Sequence, residues 1–321
     1  MAEKYMKTIK FEPNGDIYHP LPLIGGNGKV WTRSNITSGN FNSVYYANGL
    51  WVAGGSGIGL YYSTDGKNCT KSNVTSGDFF SVYYGNNIWV AGSGNSDGLY
   101  YSADGKTWTQ SNVTNDAFKS VYYGNNIWVA VSSKGLWYSE DGKNWTQSNI
   151  TSGYFQSVYY VDGLWVAGGS GIGLYYSTDG KNWTQSNVTS GYFQSVYYVD
   201  GLWVAGGGSN NGLYYSTDGK VWTQSNITNS NFWSVYYGNG TFVAGSYYNG
   251  LYYSTDGKKW TQSNITSGYF KSVYYADGLW VAAGSSDNGL YYSEITEGRI
   301  LQVVNGEWAM VAVPNAEEVA Y

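Results

Sequence analysis

The sequence predicts an all-β chain, a seven-bladed β-propeller of four-stranded antiparallel blades, on three observations. A unit of about 38 residues recurs seven times, each unit holds four short β-type segments, and paired turn residues separate the segments.

The repeat is anchored by the phrase W-T-x-S-N. It starts at Trp31, has Cys69 in place of tryptophan in its second copy, and returns at Trp108, Trp145, Trp183, Trp222 and Trp260. The steps are 38, 39, 37, 38, 39 and 38 residues. The stretches Asn144–Gly168 and Asn182–Gly206 differ only at Ile150 versus Val188, which marks recent amplification of one unit.

Within a unit, segment A reads F-x-S-V-Y-Y (Phe155–Tyr160) and segment B reads L-W-V-A (Leu164–Ala167). Segment C reads G-L-Y-Y-S (Gly173–Ser177) and segment D reads W-T-Q-S-N (Trp183–Asn187). β-Branched and aromatic residues dominate, and no segment is long enough for a stable helix. Segments A and B are joined by pairs such as Asn48-Gly49, Asn86-Asn87 and Asp162-Gly163, residues that accept positive φ in two-residue hairpins. Segments C and D are joined through Asp-Gly at Asp65, Asp104, Asp141, Asp179, Asp218 and Asp256, read here as structural turn residues. Both kinds of turn are expected on one face, with only two-residue turns there.

The last segment C, Leu290–Ser293, is followed by Glu294-Ile295-Thr296-Glu297 and by no segment D. The first segment D, Val30–Asn35, precedes the first segment A. Pairing the two completes a seventh blade and closes the ring with strands from both ends of the array. The expected organisation is a leader over 1–28, a propeller over 29–293, and a tail over 294–321 forming a short β-hairpin.

Composition narrows function. Glycine occurs 45 times, tyrosine 35 times, and charged residues make up 12%, which fits short strands and tight turns. A net charge of −5, with 17 dispersed Lys and Arg, argues against a nucleic-acid surface. No apolar run approaches a membrane span, and the residues after Met1 carry no apolar secretory core. No membrane insertion, no secretion and no disulfide framework are expected.

The phrase Ser177-Thr178-Asp179-Gly180-Lys181-Asn182-Trp183 and its copies resemble the Asp-box, or BNR repeat, of sialidase-like propellers over residues 30–293. The common Asp-box has one more residue between aspartate and tryptophan. Outside the repeats, Lys7–Leu23 looks like the leader of many bacteriophage tail and virion proteins. Gly298–Trp308 and Pro314–Tyr321 look like their C-terminal segments. That resemblance implies a virion protein assembled in the host cytoplasm, held to other virion proteins through its terminal segments.

A sialidase of this kind holds its substrate carboxylate with three arginines, and this chain has two, Arg33 and Arg299. Other glycosidases need two carboxylates across a cleft, but most aspartates here are copied turn residues. Asp78, Asp97, Asp116 and Asp287 lie in loops with no evident partner. His19, the only histidine, precedes Pro20 in the leader and nucleates no metal or triad arrangement. Cys69 reads as a packing substitution that leaves a void, with Phe80 filling part of it. The sequons beginning at Asn35, Asn73, Asn112, Asn149, Asn187, Asn226 and Asn264 read as a by-product of copying. No catalytic residue, metal or cofactor is expected.

The face opposite the turns carries the B–C and D–A connections, where the copies differ. Its aromatic residues Tyr154, Tyr192, Trp233, Tyr247, Tyr248 and Tyr269 are the candidate ligand-binding positions, suited to stacking on sugar rings. Divergence confined to one face is expected of a partner surface and equally of drift in exposed loops. Two functions follow: a virion propeller presenting this face to host-surface carbohydrate, or a free lectin-like or protein-binding propeller, natural or built from a consensus unit.

Overall fold

The computed structural model describes residues 35–36, 40–66, 68–94, 96–209, 211–276, 279–285, 290–294, 299–304 and 307–312. The chain divides into two units, Met1–Thr32 and Arg33–Tyr321, and the first lies outside the described residues.

The second unit is a propeller of antiparallel sheets, with no helix among the described residues. Blade 4 is representative: strand A is Tyr154–Val161, B is Leu164–Ser170, C is Leu174–Ser177 and D is Thr184–Gln185. Six blades repeat this order, starting at Asn40, Phe79, Phe118, Tyr154, Tyr192 and Phe232. The seventh shows strands A to C, Tyr269–Ala276, Leu279–Ser285 and Leu290–Glu294. Its expected fourth strand, Val30–Asn35, falls outside the described residues except for Asn35. Arg299–Val304 and Glu307–Ala312 pair as a separate hairpin.

Local chemistry explains the strand ends. The A–B turns have the expected two residues, with Asn48 at φ 51°, Asp162 at 46° and Asp200 at 47°. The C–D connection departs from expectation. Strand C ends at Ser177 and strand D starts at Thr184, so six residues intervene and D is only two residues long. Asp179 organises that loop, and its Oδ1 accepts from the N–H groups of Lys181 (2.8 Å) and Asn182 (2.7 Å). The Ser177 hydroxyl donates to the same oxygen and accepts from the Gly180 N–H at 2.9 Å. The Trp183 indole N–H closes the loop on the Gly180 carbonyl at 3.0 Å.

Strand A contains a bulge in every blade. In blade 4 the register slips between Phe155 and Ser157, leaving Gln156 as the extra residue. Asn42, Phe80, Gln194, Trp233 and Lys271 hold the same place. A bulge residue has no ladder partner, so its side chain is free to vary. The variable position in F-x-S-V-Y-Y is this one.

The core lies between blades. Leu50, Val52 and Leu60 of blade 1 pack on Phe79, Val82, Trp89, Ala91 and Trp108 of blade 2, and the pattern repeats onward. Burying one such side chain contributes about 1.5–3 kcal/mol. The innermost edge of strand A would be open, but serine hydroxyls of the preceding blade accept its valine N–H groups. Ser43 takes that of Val82, Ser81 that of Val121, and Ser234 that of Val273, at 3.0–3.1 Å. Tyr45, Tyr83, Tyr122, Tyr159, Tyr197 and Tyr236 form a continuous ring-to-ring column through the same strands, at 4.6–6.2 Å. Burial, then the neighbouring tyrosines, pushes the Tyr159 phenol up to about 12 and that of Tyr83 higher still.

A side-chain clasp joins each blade to the next. Asn187 accepts from the Trp222 N–H at 2.8 Å and donates to the Trp222 carbonyl at 2.9 Å. Asn73, Asn112, Asn149 and Asn226 hold Trp108, Trp145, Trp183 and Trp260 in the same way. Asn35 holds Cys69 with bonds of 2.7 and 3.0 Å. The end of the first segment D therefore lies against blade 1 where later blades have their predecessor's strand D. These asparagines are the sequon residues, and the repeat keeps them for a structural reason as well as by copying.

Candidate functional site: the loop face

Four of the six candidate aromatic residues meet. Trp233 occupies the bulge of blade 6, Tyr247 and Tyr248 form its B–C loop, and Tyr269 opens strand A of blade 7. Trp233 stacks on Tyr247 with centroids 5.5 Å apart and planes 22° apart. Tyr247 meets Tyr248 at 4.4 Å and Tyr269 at 4.6 Å, both edge to face, and Tyr248 lies 5.0 Å from Tyr269. Tyr248 is 54% exposed, whereas Trp233, Tyr247 and Tyr269 are half-buried.

The backbone beneath these rings is fixed. The Tyr247 N–H donates to the Asn231 carbonyl at 2.8 Å, and the Gly268 N–H donates to the Tyr248 carbonyl at 3.1 Å. The Ser246 hydroxyl accepts from the Asn249 N–H at 3.0 Å, and the Asn249 amide donates to Ser230 at 2.7 Å. Rings held this way form a platform at little ordering cost on binding.

Tyr154 and Tyr192 stand elsewhere on the same face. Both pair in the ladder with Ser170, so blades 4 and 5 form one continuous sheet there. Two strand spacings separate their backbones, about 10 Å. Tyr154 is 60% exposed and Tyr192 42%. The loop face thus presents an aromatic cluster at blades 6 and 7 and an exposed tyrosine pair at blades 4 and 5.

The acidic residues do other work. In the turns, burial opposes ionisation of Asp179, but the Asn182 N–H and side chain, the Lys181 N–H and the Ser177 hydroxyl outweigh it and hold the carboxyl at about 2. Asp141 is held at about 2 by the equivalent groups. Asp104, Asp218 and Asp256 are lowered too, and Asp65 accepts from Ser63 and Asn68 in the same geometry. Groups so committed make poor proton donors near neutral pH.

The loop aspartates have partners, contrary to expectation. Asp116 is fully buried, accepting from the Trp137 indole at 3.1 Å, the Ser133 hydroxyl at 3.0 Å and the Ala117 N–H at 2.8 Å. Trp137 stands where other copies have tyrosine and Asp116 where they have glycine or serine, so this pair belongs to blade 3 alone. Asp78 accepts from the Gly57 N–H at 2.5 Å, and Asp97 from the Ser93 hydroxyl at 3.3 Å. Asp287, His19, Arg33 and the Arg299 side chain lie outside the described residues. Among the described residues no cluster of histidine, cysteine or acidic side chains could hold a metal.

No protein-family model matches the sequence, and no curated protein sequence matches it. Solved structures do match. The computationally designed protein Ika8 superposes with a TM-score of 0.63 at 10% identity, over 79% of this chain and 83% of that one. YCF48 bound to D1 peptide gives 0.59 at 14% identity, over 83% and 94%. The β-propeller domain of Cps50 (Swd1) from Myceliophteria thermophila gives 0.56 at 9%, over 81% and 98%. The fold is a β-propeller. At such identities the likeness extends to fold alone, and propellers serve many functions.

Proposed function

We propose that this chain is a non-enzymatic binding propeller whose loop face takes carbohydrate. The observation that carries the reading is the platform of Trp233, Tyr247, Tyr248 and Tyr269, fixed from below and exposed at Tyr248. Aromatic faces stack on the apolar face of a sugar ring, and neighbouring amides supply its hydrogen bonds. Tyr154 and Tyr192 offer a second contact, and linked weak sites raise effective concentration. The resemblance of the terminal segments to phage virion proteins makes a host-surface glycan the favoured ligand class. The two-arginine count and the committed turn aspartates support a binding role over hydrolysis.

A glycan array tests this. The intact protein should bind a defined set of glycans, and Tyr248→Ala should weaken binding by about tenfold while leaving the melting temperature unchanged. Equal binding by that variant, or release of sugar from the array, would overturn it. A second reading has its own support: YCF48 is solved with a peptide, and the loop face would suit a protein segment equally well. Binding to peptide arrays with silence on glycans would favour that reading.

A further inference from the structure

Blade 6 differs from its neighbours on the turn face as well, and there it opens a groove. Strand B begins Thr241-Phe242, where the six other copies have leucine or isoleucine followed by tryptophan. At the junction of blades 4 and 5 the Trp203 indole is buried. At the junction of blades 5 and 6 the smaller Phe242 ring, itself 4% exposed, forms the floor edge of a groove of about 290 Å³. Its apolar walls are Val199, Leu202, Tyr237 and Phe242, and its polar rim is Asp200, Asp256, Lys258, Thr217 and Thr255.

Two carboxylate groups are open there. At the preceding junction Asp162 accepts from the Tyr198 hydroxyl at 3.2 Å. Its counterpart Asp200 accepts no hydrogen bond among the described residues. Asp256 uses Oδ1 on the N–H groups of Lys258 and Lys259 and on the Ser254 hydroxyl. In Asp179 the outer oxygen is taken by the Asn182 amide at 2.8 Å, but blade 6 has Lys259 at that position, which leaves Asp256 Oδ2 open. The one cation on the rim, Lys258, lies with its ammonium 5.8 Å from the Tyr215 ring, and its charge also helps to lower Asp256, so an added ammonium would share that carboxylate with it.

We propose that this groove binds a small organic cation: a primary ammonium on an aromatic or alkyl body. The body would lie over Tyr237 and Leu202 against the edge of Phe242, and the ammonium would bridge Asp200 and Asp256. A volume of about 290 Å³ suits a ligand at the small end of the usual range. The proposal is independent of carbohydrate binding on the opposite face.

The probe is 2-phenylethylammonium, titrated into the full chain by calorimetry and by ligand-observed NMR. It should bind with millimolar affinity, and neutral 2-phenylethanol should bind about tenfold more weakly, because a charge-assisted bond is lost. Phe242→Trp restores the residue of neighbouring blades and should abolish binding with the fold intact by circular dichroism. Asp200→Asn should weaken binding about fivefold without lowering the melting temperature. Equal affinity for amine and alcohol, undiminished binding by Phe242→Trp, or no binding at millimolar concentration would each overturn the assignment. If Phe242→Trp fails to fold, the Asp200→Asn and alcohol comparisons decide alone.

Discussion

Blades 1 and 2 carry the same residues on the face that leads each of them, in different surroundings. In blade 2, Phe79, Val82 and Trp89 are 1%, 4% and 2% exposed, covered by blade 1. In blade 1, Phe41, Val44 and Trp51 are 43%, 61% and 39% exposed. A cavity of about 80 Å³ lies on that face, lined by Val44, Trp51, Ala53, Tyr61 and Cys69 among others. Sequence alone does not bury a blade; the preceding blade does. Stability in such an array is a sum of blade and junction contributions, so each covered face adds one junction.

The sharpest way to break this comparison is to remove the segment that reaches blade 1 from upstream. Deleting residues 1–36 takes away Asn35 and the rest of the first segment D. The loss should be the largest seen, on the order of 4 kcal/mol. An unchanged melting temperature would show that blade 1 stands without it.

Next is the clasp. Asn187→Ala leaves the N–H and carbonyl of Trp222 unpaired in a half-buried junction, a cost of about 1–3 kcal/mol. Asn35→Ala removes the equivalent bonds at an exposed site, where water replaces them, so it should cost less. Chemical denaturation of both variants tests the order, and equal losses would mean that blade 1 is as well covered as blade 5.

Cys69→Trp asks the same question by addition. Tryptophan there would fill the space beside Trp51 and should stabilise by about 1–3 kcal/mol. An unchanged melting temperature would mean that no neighbour covers the added ring. Phe80 takes no part, contrary to the expectation that it fills the void. Its ring lies against Gly94, with the Lys119 ammonium 3.8 Å from its centre. Phe80→Gln should therefore add independently to Cys69→Trp in thermal melts.

The smallest effect is that of pH. Asp141 and Asp179 have folded-state values near 2, below the ordinary value for unfolded aspartate. A depressed value stabilises fully above the unfolded pKa and is lost as pH falls through the folded one. Stability should fall between about pH 4 and 2, and Asp179→Asn should flatten that slope. A slope unchanged in the variant would remove the turn aspartates from the account.

The repeat, the four strands and the two-residue A–B turns were legible because each leaves a periodic trace in residue type. So was the place of the void, since Cys69 breaks a pattern of tryptophans. The clasp was not legible. Asn187 reaches Trp222 across 35 residues, and its periodicity is that of the repeat itself. Nor could spacing reveal Asp116, because its partner Trp137 sits in strand C, beyond strands A and B, and appears in one blade only. The aromatic residues of the loop face were legible one by one. Their division into a cluster at Trp233 and a pair flanking Ser170 depends on a bulge and a ladder contact that no composition encodes.

The clasp touches only main-chain atoms of the next blade, so it is indifferent to the side chain there, and Cys69 is held as Trp222 is. Any blade can follow any other without losing it. At the level of the gene, that makes unequal crossing-over between copies harmless to the joint it creates. The near-identity of Asn144–Gly168 and Asn182–Gly206 is what such an exchange leaves behind. Lineages carrying this unit should differ by whole blades more readily than by insertions inside one.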